Sequence, residues 1–194
     1  MADELTPDAV VPLLRGRLGR PYRFVERCAS TQRLLGPDDP EGAVVAADEQ
    51  SEGRGRLGRT WEAPGATSIL FSVLLQPPVP TPKLPELSLV AGRAVARAIA
   101  ARTGLAAELA FPNDVLIGER KVAGILAEAS EGRVVLGIGV NVNQTAAELP
   151  VDARKPPTSL RLETGAPLER APLLAEILLQ LERELDEWLS AGGA

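Results

Sequence analysis

Residues 111–143 read FPNDVLIGERKVAGILAEASEGRVVLGIGVNVN. Three apolar runs, DVLI, KVAGILAEA and RVVLGIGVNVN, are separated by Gly118-Glu119-Arg120 and by Glu131-Gly132. Runs of that composition, bounded by glycine turns, predict strands joined by tight hairpins. Just upstream, Leu87, Val90, Ala91, Ala94, Val95, Ala98 and Ile99 recur at three- and four-residue steps. That spacing predicts a helix over 84–102, which Gly104 ends. Downstream, 158–163 predicts a short helix, and 168–189 a long amphipathic one with Leu174, Ile177, Leu178, Leu181, Leu185 and Leu189 on one stripe. Neighbouring hairpins combined with helices predict an α/β (α+β) domain, its mixed sheet carrying helices mainly on one face.

The remaining segments extend the same sheet. TSILFSVLLQ at 67–76 is apolar at nearly every position and predicts a strand buried on both faces. Residues 43–49 and 22–28 predict two further strands. Ser30-Thr31 caps a brief helix ending near Gly36, residues 7–19 predict a short helix, and PPVPTP at 77–82 a rigid loop. The hexapeptide RGRLGR occurs at 15–20 and again at 54–59. The first copy follows an apolar helix and reads as exposed arginines at a frayed end. The second follows a strand and precedes Thr60-Trp61.

Composition narrows the chemistry. The 194 residues fit one domain over 1–194, and aromatics are only 3%, so the core is aliphatic. There is no histidine, which excludes Ser-His-Asp and Cys-His catalysis and histidine metal ligands. Cys28 is the single cysteine, so no internal disulfide and no multi-cysteine metal site is possible. A net charge of −5 argues against a general DNA or RNA binder. No apolar run is long enough for a membrane span, and MADELTPDAV lacks a signal-peptide pattern, so a cytoplasmic location is expected. The chain has 18 Arg but only three Lys, at 83, 121 and 155. What remains is an inventory of arginine, lysine, carboxylate, amide, hydroxyl and backbone N–H groups, suited to phosphates and carboxylates.

Three constellations carry that chemistry. In Ser51 to Trp61, arginines alternate with glycines. Glycine lets the backbone approach a ligand closely, and arginine supplies bidentate donors, although a plain exposed basic loop has the same composition. No GxxxxGK[ST] is present, so it is not a P-loop. Phe111-Pro112-Asn113-Asp114 leads into a strand, and the hairpin returns Lys121, whose ammonium suits a developing anion. An Asx-type turn and an edge lysine would account for the same residues. In Leu136 to Asn143, Gly137, Gly139 and Asn141 share one strand face, where a ligand or a packed helix must come close.

Together these pieces resemble the catalytic domain of the biotin protein ligases. The matching segments are Ser30-Thr31, Gln50, GRGRLGRTW at 53–61, FPNDV at 111–115, RKVAGILAE at 120–128 and GIGVNVN at 137–143, with Thr158-Ser159-Leu160 as a further match. The resemblance covers about residues 28–165 in order. It implies the biotin/lipoate ligase fold, akin to class II aminoacyl-tRNA synthetases. It also implies biotin as substrate with ATP and Mg2+, the metal carried mainly by the nucleotide on unidentified protein ligands, and a biotin carboxyl carrier protein whose lysine accepts the acyl group. For biotin it implies Ser30, Thr31, Gln32, Gln50, Arg54, Gly55, Arg56, Lys121 and Gly124; for the nucleotide, Arg56, Arg59, Trp61, Asn113, Asp114, Lys121 and Asn141. The catalytic set is Lys121, Arg56 and Asp114.

The sequence departs from the family pattern at Ala110, where a lysine usually precedes the proline by two residues, and at Gln32, where the family has asparagine. A lone catalytic domain is expected, without an N-terminal DNA-binding domain or the small C-terminal β domain. The connection 51–60 is expected to be mobile without substrate, and a homodimer through an exposed sheet edge is a possible assembly. The alternatives are a biotin- or biotinyl-adenylate-binding protein without efficient transfer, and a ligase for lipoate or octanoate, against which GRGRLGR speaks.

Overall fold

The computed structural model describes residues 4–151 and 153–193. Its strands are β1 (Tyr22–Cys28), β2 (Val44–Gln50), β3 (Ser68–Leu75), β4 (Ala107–Ala110), β5 (Asp114–Ile117), β6 (Arg120–Ser130) and β7 (Arg133–Asn141). They form one sheet in the order β1-β2-β3-β7-β6-β5-β4. The β1–β2 pair is parallel and every other pair antiparallel, so the sheet is mixed as expected. The helices are α1 (Pro7–Val10), α2 (Leu87–Thr103), α3 (Leu160–Thr164) and α4 (Arg170–Trp188). No helix among the described residues is long and apolar enough to cross a membrane.

β3 is buried at all eight positions, and the two-residue period divides it between two environments. Ile69, Phe71, Val73 and Leu75 join Val44, Ala46, Leu136, Ile138 and Val140 beneath α2 and α4, in the main core. Leu74 turns the other way, onto Ala43, Val45 and Leu35. The same alternation puts Gly137, Gly139 and Asn141 on the face away from the long helices. The buried carboxylate of Glu184 joins the two long helices by pairing with Arg93 at 2.7 Å and Arg97 at 2.8 Å.

Several boundaries differ from the sequence reading. The first helix stops within 7–13 because Pro12 lacks an N–H, leaving a single α-turn and a short 3-10 turn at Val11–Leu13. Arg17 in the first RGRLGR is exposed, but it is tied to α4 through Asp186 at 2.6 Å and Glu182 at 3.4 Å. Ser30 precedes a 3-10 turn at Thr31–Leu34 without a side-chain cap. The proline-rich loop passes into a 3-10 helix at Thr81–Glu86, so α2 begins at Leu87. β4 has no counterpart in the sequence reading.

Candidate active site

Sheet register creates the site. Ala110, Asp114, Gly124, Gly139 and Leu70 lie opposite one another in a row crossing five strands. The next row along contains Leu126, Gly137 and Ser72. Opposed residues share a face, so Gly124 and Gly139 form a bare strip in the middle of the sheet. The Trp61 indole covers it. A Cβ on Gly139 would lie 2.6 Å from Cε2 of that ring, and one on Gly124 2.8 Å from Cζ3. Gly137 is covered instead by the Gln32 side chain, with Cδ 2.9 Å from a would-be Cβ. The glycines are therefore required by side chains of the site, not by a packed helix.

A bulge brings Lys121 to the same face. Val115 opposes Ala123 but Leu116 opposes Lys121, so Val122 is an extra residue in β6. Strict alternation would point Lys121 away from Gly124. The bulge re-aims it, and Lys121 Nζ comes within 3.3 Å of a would-be Gly124 Cβ. The ammonium pairs with Asp114 Oδ1 at 2.7 Å and lies 5.3 Å from the Trp61 ring centroid. Asn113 Nδ2 donates to the Ile125 carbonyl at 3.0 Å, which ties the PND turn to β6.

The opposite end of the face is uncharged. Gln50 Oε1 accepts from the backbone N–H of Thr31 at 2.7 Å and from its hydroxyl at 3.1 Å, and that hydroxyl is 2.8 Å from Ser72 Oγ. Gln32 Nε2 donates to the carbonyls of Leu126 and Val135. Ser30 is buried beside them. Gly137 at this end and Gly139 at the Lys121 end are two residue steps apart along β7, about 7 Å.

Residues 51–67 connect β2 to β3 and form one wall. Arg54 and Thr60 form an isolated antiparallel bridge, and Trp61 N–H donates to Gly53 O at 2.9 Å. A Cβ on Gly53 would stand 2.2 Å from the Trp61 carbonyl oxygen, so only glycine permits this crossing. Arg54 pairs with Glu128 at 2.7 Å, fastening the wall to β6. Behind it, the fully buried Arg170 at the start of α4 holds Asp48 Oδ1 at 2.8 Å and the Ser68 carbonyl at 3.0 Å. The two ends of the connection therefore meet at one guanidinium.

These elements enclose a cavity of about 900 Å³. All fourteen residues singled out in the sequence line it, from Ser30 and Gln50 through Arg56, Arg59 and Trp61 to Asn113, Lys121, Gly124 and Asn141. Asn141 is committed to the protein, donating to the Thr158 carbonyl at 3.0 Å and accepting from Gln144 at 3.1 Å. Trp61 Nε1 is buried without a partner among the described residues. Arg154 and Lys155 also line the cavity and were not singled out in the sequence. The scarcity of lysine was the available signal for Lys155.

The profile of the biotin/lipoate A/B protein ligase family matches residues 24–144. The chain belongs to this family. As a member it is 35% identical over 184 residues to the bifunctional ligase/repressor BirA of Bacillus subtilis, covering 90% of this chain and 57% of that protein. It is 39% identical over 161 residues to the biotin–[acetyl-CoA-carboxylase] ligase of Mycobacterium tuberculosis, covering 79% of this chain and 58% of that one. This family member thus spans less than two thirds of the length of these relatives. Among solved structures, the biotin protein ligase of Aquifex aeolicus in complex with biotin and ATP superposes with a TM-score of 0.78 at 34% identity, over 88% of this chain and 72% of that one.

Proposed function

We propose that the chain activates biotin with Mg·ATP as biotinyl-5′-AMP and transfers the biotinyl group to a lysine of a biotin carboxyl carrier protein. The observation that carries this reading is the polarity of the cavity. One end offers uncharged hydrogen-bonding groups at Thr31, Gln32 and Gln50; the other holds Lys121 among arginines. Biotin has matching ends, a neutral ureido ring and a carboxylate tail, joined by an apolar chain. The similarity to a ligase solved with biotin and ATP supports the same reading.

In the first step a biotin carboxylate oxygen attacks the α-phosphorus, a P–O bond forms, the α–β anhydride breaks and pyrophosphate leaves. Lys121 and Arg56 would bring the two anions together and neutralise the charge that grows between them. In the second step the acceptor amine attacks the acyl carbon of the mixed anhydride and AMP leaves. Asp114, 2.7 Å from Lys121, would orient the incoming amine or take its proton. No group of three or more potential metal ligands occurs among the described residues, and magnesium enters this reading on the nucleotide.

The decisive assay is biotin-dependent pyrophosphate release from Mg·ATP, followed by addition of a carrier domain. A stoichiometric burst that becomes turnover on adding carrier is expected. Biotin binding without pyrophosphate release would overturn the assignment. Asp114→Asn is expected to retain the burst and lose transfer; normal transfer would remove Asp114 from the second step.

A further inference from the structure

Lys155 belongs to none of the sequence motifs, yet its position is built by Lys121 itself. The N–H of Lys121 donates to the Pro156 carbonyl at 2.8 Å, and the N–H of Thr158 donates back to the Lys121 carbonyl at 2.8 Å. Lys121 and Pro157 thereby form a parallel bridge. Two prolines immediately after Lys155 restrict the backbone that carries it.

The result is one carboxylate facing two ammonium groups. Lys121 Nζ is 2.7 Å from Asp114 Oδ1, and Lys155 Nζ is 3.5 Å from Asp114 Oδ2. The two lysine side chains are only 27% and 31% exposed. Each ammonium carries three donors, so Asp114 leaves donor capacity directed at the cavity. The wider balance points the same way. Among the described lining residues six are basic and two acidic, in a chain of net charge −5. Arg54 is taken up by Glu128. Fixed positive charge in excess of its carboxylates, inside a partly closed cavity, selects a multiply charged anion. Ala110, directly opposite Asp114 on the neighbouring strand, adds no charge from its side.

We propose that Lys155 is a phosphate-binding residue that takes the β- and γ-phosphates of a bound nucleoside triphosphate. It stands across the Asp114 carboxylate from Lys121, so a ligand whose α-phosphate meets Lys121 presents its next phosphates to Lys155. It also keeps Asp114 paired when Lys121 turns to the reacting carboxylate. The assignment of the α-phosphate to Lys121 rests on the function proposed above; the surplus charge does not.

The test compares titrations of α,β-methylene-ATP and AMP by calorimetry on the full chain. Lys155→Ala is expected to lower affinity for the triphosphate analogue about tenfold, the worth of one charge-assisted contact, and to leave AMP within about twofold. Lys155→Arg should retain the affinity. Ala110→Lys in the Lys155→Ala background should restore part of it, because opposed residues stand about 5 Å apart at Cβ. Triphosphate affinity unchanged in Lys155→Ala, or AMP affinity falling as far as that of the triphosphate, would overturn the proposal. A wild-type chain that binds the triphosphate but forms no biotinyl-adenylate would overturn the functional reading alone, since the titrations decide Lys155 without catalysis.

Discussion

Replacing Gly139 by alanine would place a methyl group 2.6 Å from Cε2 and 2.8 Å from Nε1 of Trp61. Carbon atoms in good contact sit about 3.5–4.0 Å apart, so the indole must withdraw by about 1 Å. The backbone at Gly139 is not left-handed, so alanine adds no conformational strain there. Removing a glycine from a strand interior is worth about 0.5–1 kcal/mol, against about 1–3 kcal/mol for overpacking. The net cost lies between about zero and 2.5 kcal/mol. It falls on the 51–67 connection, because Trp61 is outside the main core. Gly139→Ala should therefore melt no more than about 10 °C below wild type while losing about tenfold or more in affinity for biotin with ATP. Two tryptophans are present, so Trp188→Phe isolates the fluorescence of Trp61, which should shift to longer wavelength as the ring leaves the sheet. Unchanged emission together with affinity within twofold of wild type would refute the glycine strip as the seat of the indole.

Two further predictions concern the buried cluster behind the site. Arg170→Met leaves Asp48 without its buried partner, a loss of about 3 kcal/mol or more, and calorimetry should find the melting temperature lower by about 6–12 °C; a drop under about 3 °C would show that the pair contributes little. Burial, reinforced by Asp48, pushes the Tyr22 phenol well above its ordinary range. The folded state favours the neutral phenol, so this stabilisation is complete below the ordinary tyrosine value of about 10 and is lost as pH rises above it. Tyr22→Phe should flatten that alkaline decline in a series of melts. At neutral pH it should cost about 1 kcal/mol for the bond to the Leu5 carbonyl.

The meander at 111–143 and the buried strand at 67–76 were legible because glycine turns and β-branched runs act locally. The cavity lining was legible for the same reason, through short motifs that each occupy one turn or strand end. β4 was not: AELA has no β-branched residue, and it is a strand only because β5 offers it a partner. The orientation of Lys121 was hidden as well, since it depends on a bulge at Val122 that no two-residue pattern announces. That Trp61 and Gln32 are the covers of the glycines needs the three-dimensional register, because they come from separate connections far away in sequence. Lys155 acquires its place only through a bridge to Lys121, 34 positions earlier.

The guanidinium of Arg170 has a consequence for how the molecule is made. Asp48 and Ser68, which it joins, stand at the two ends of the arginine-bearing wall. A ribosome delivers β2, that wall and β3 some hundred residues before it delivers the first turn of α4. Through that interval the wall hangs from two strand ends held only by their own ladder, which ends at Ala47 opposite Leu70, with the Asp48 carboxylate still lacking its guanidinium. Long-range closures of this kind are the slow, late events of folding. The nascent chain therefore completes its cavity only once α4 has emerged and docks behind a sheet whose floor and strands are already in place.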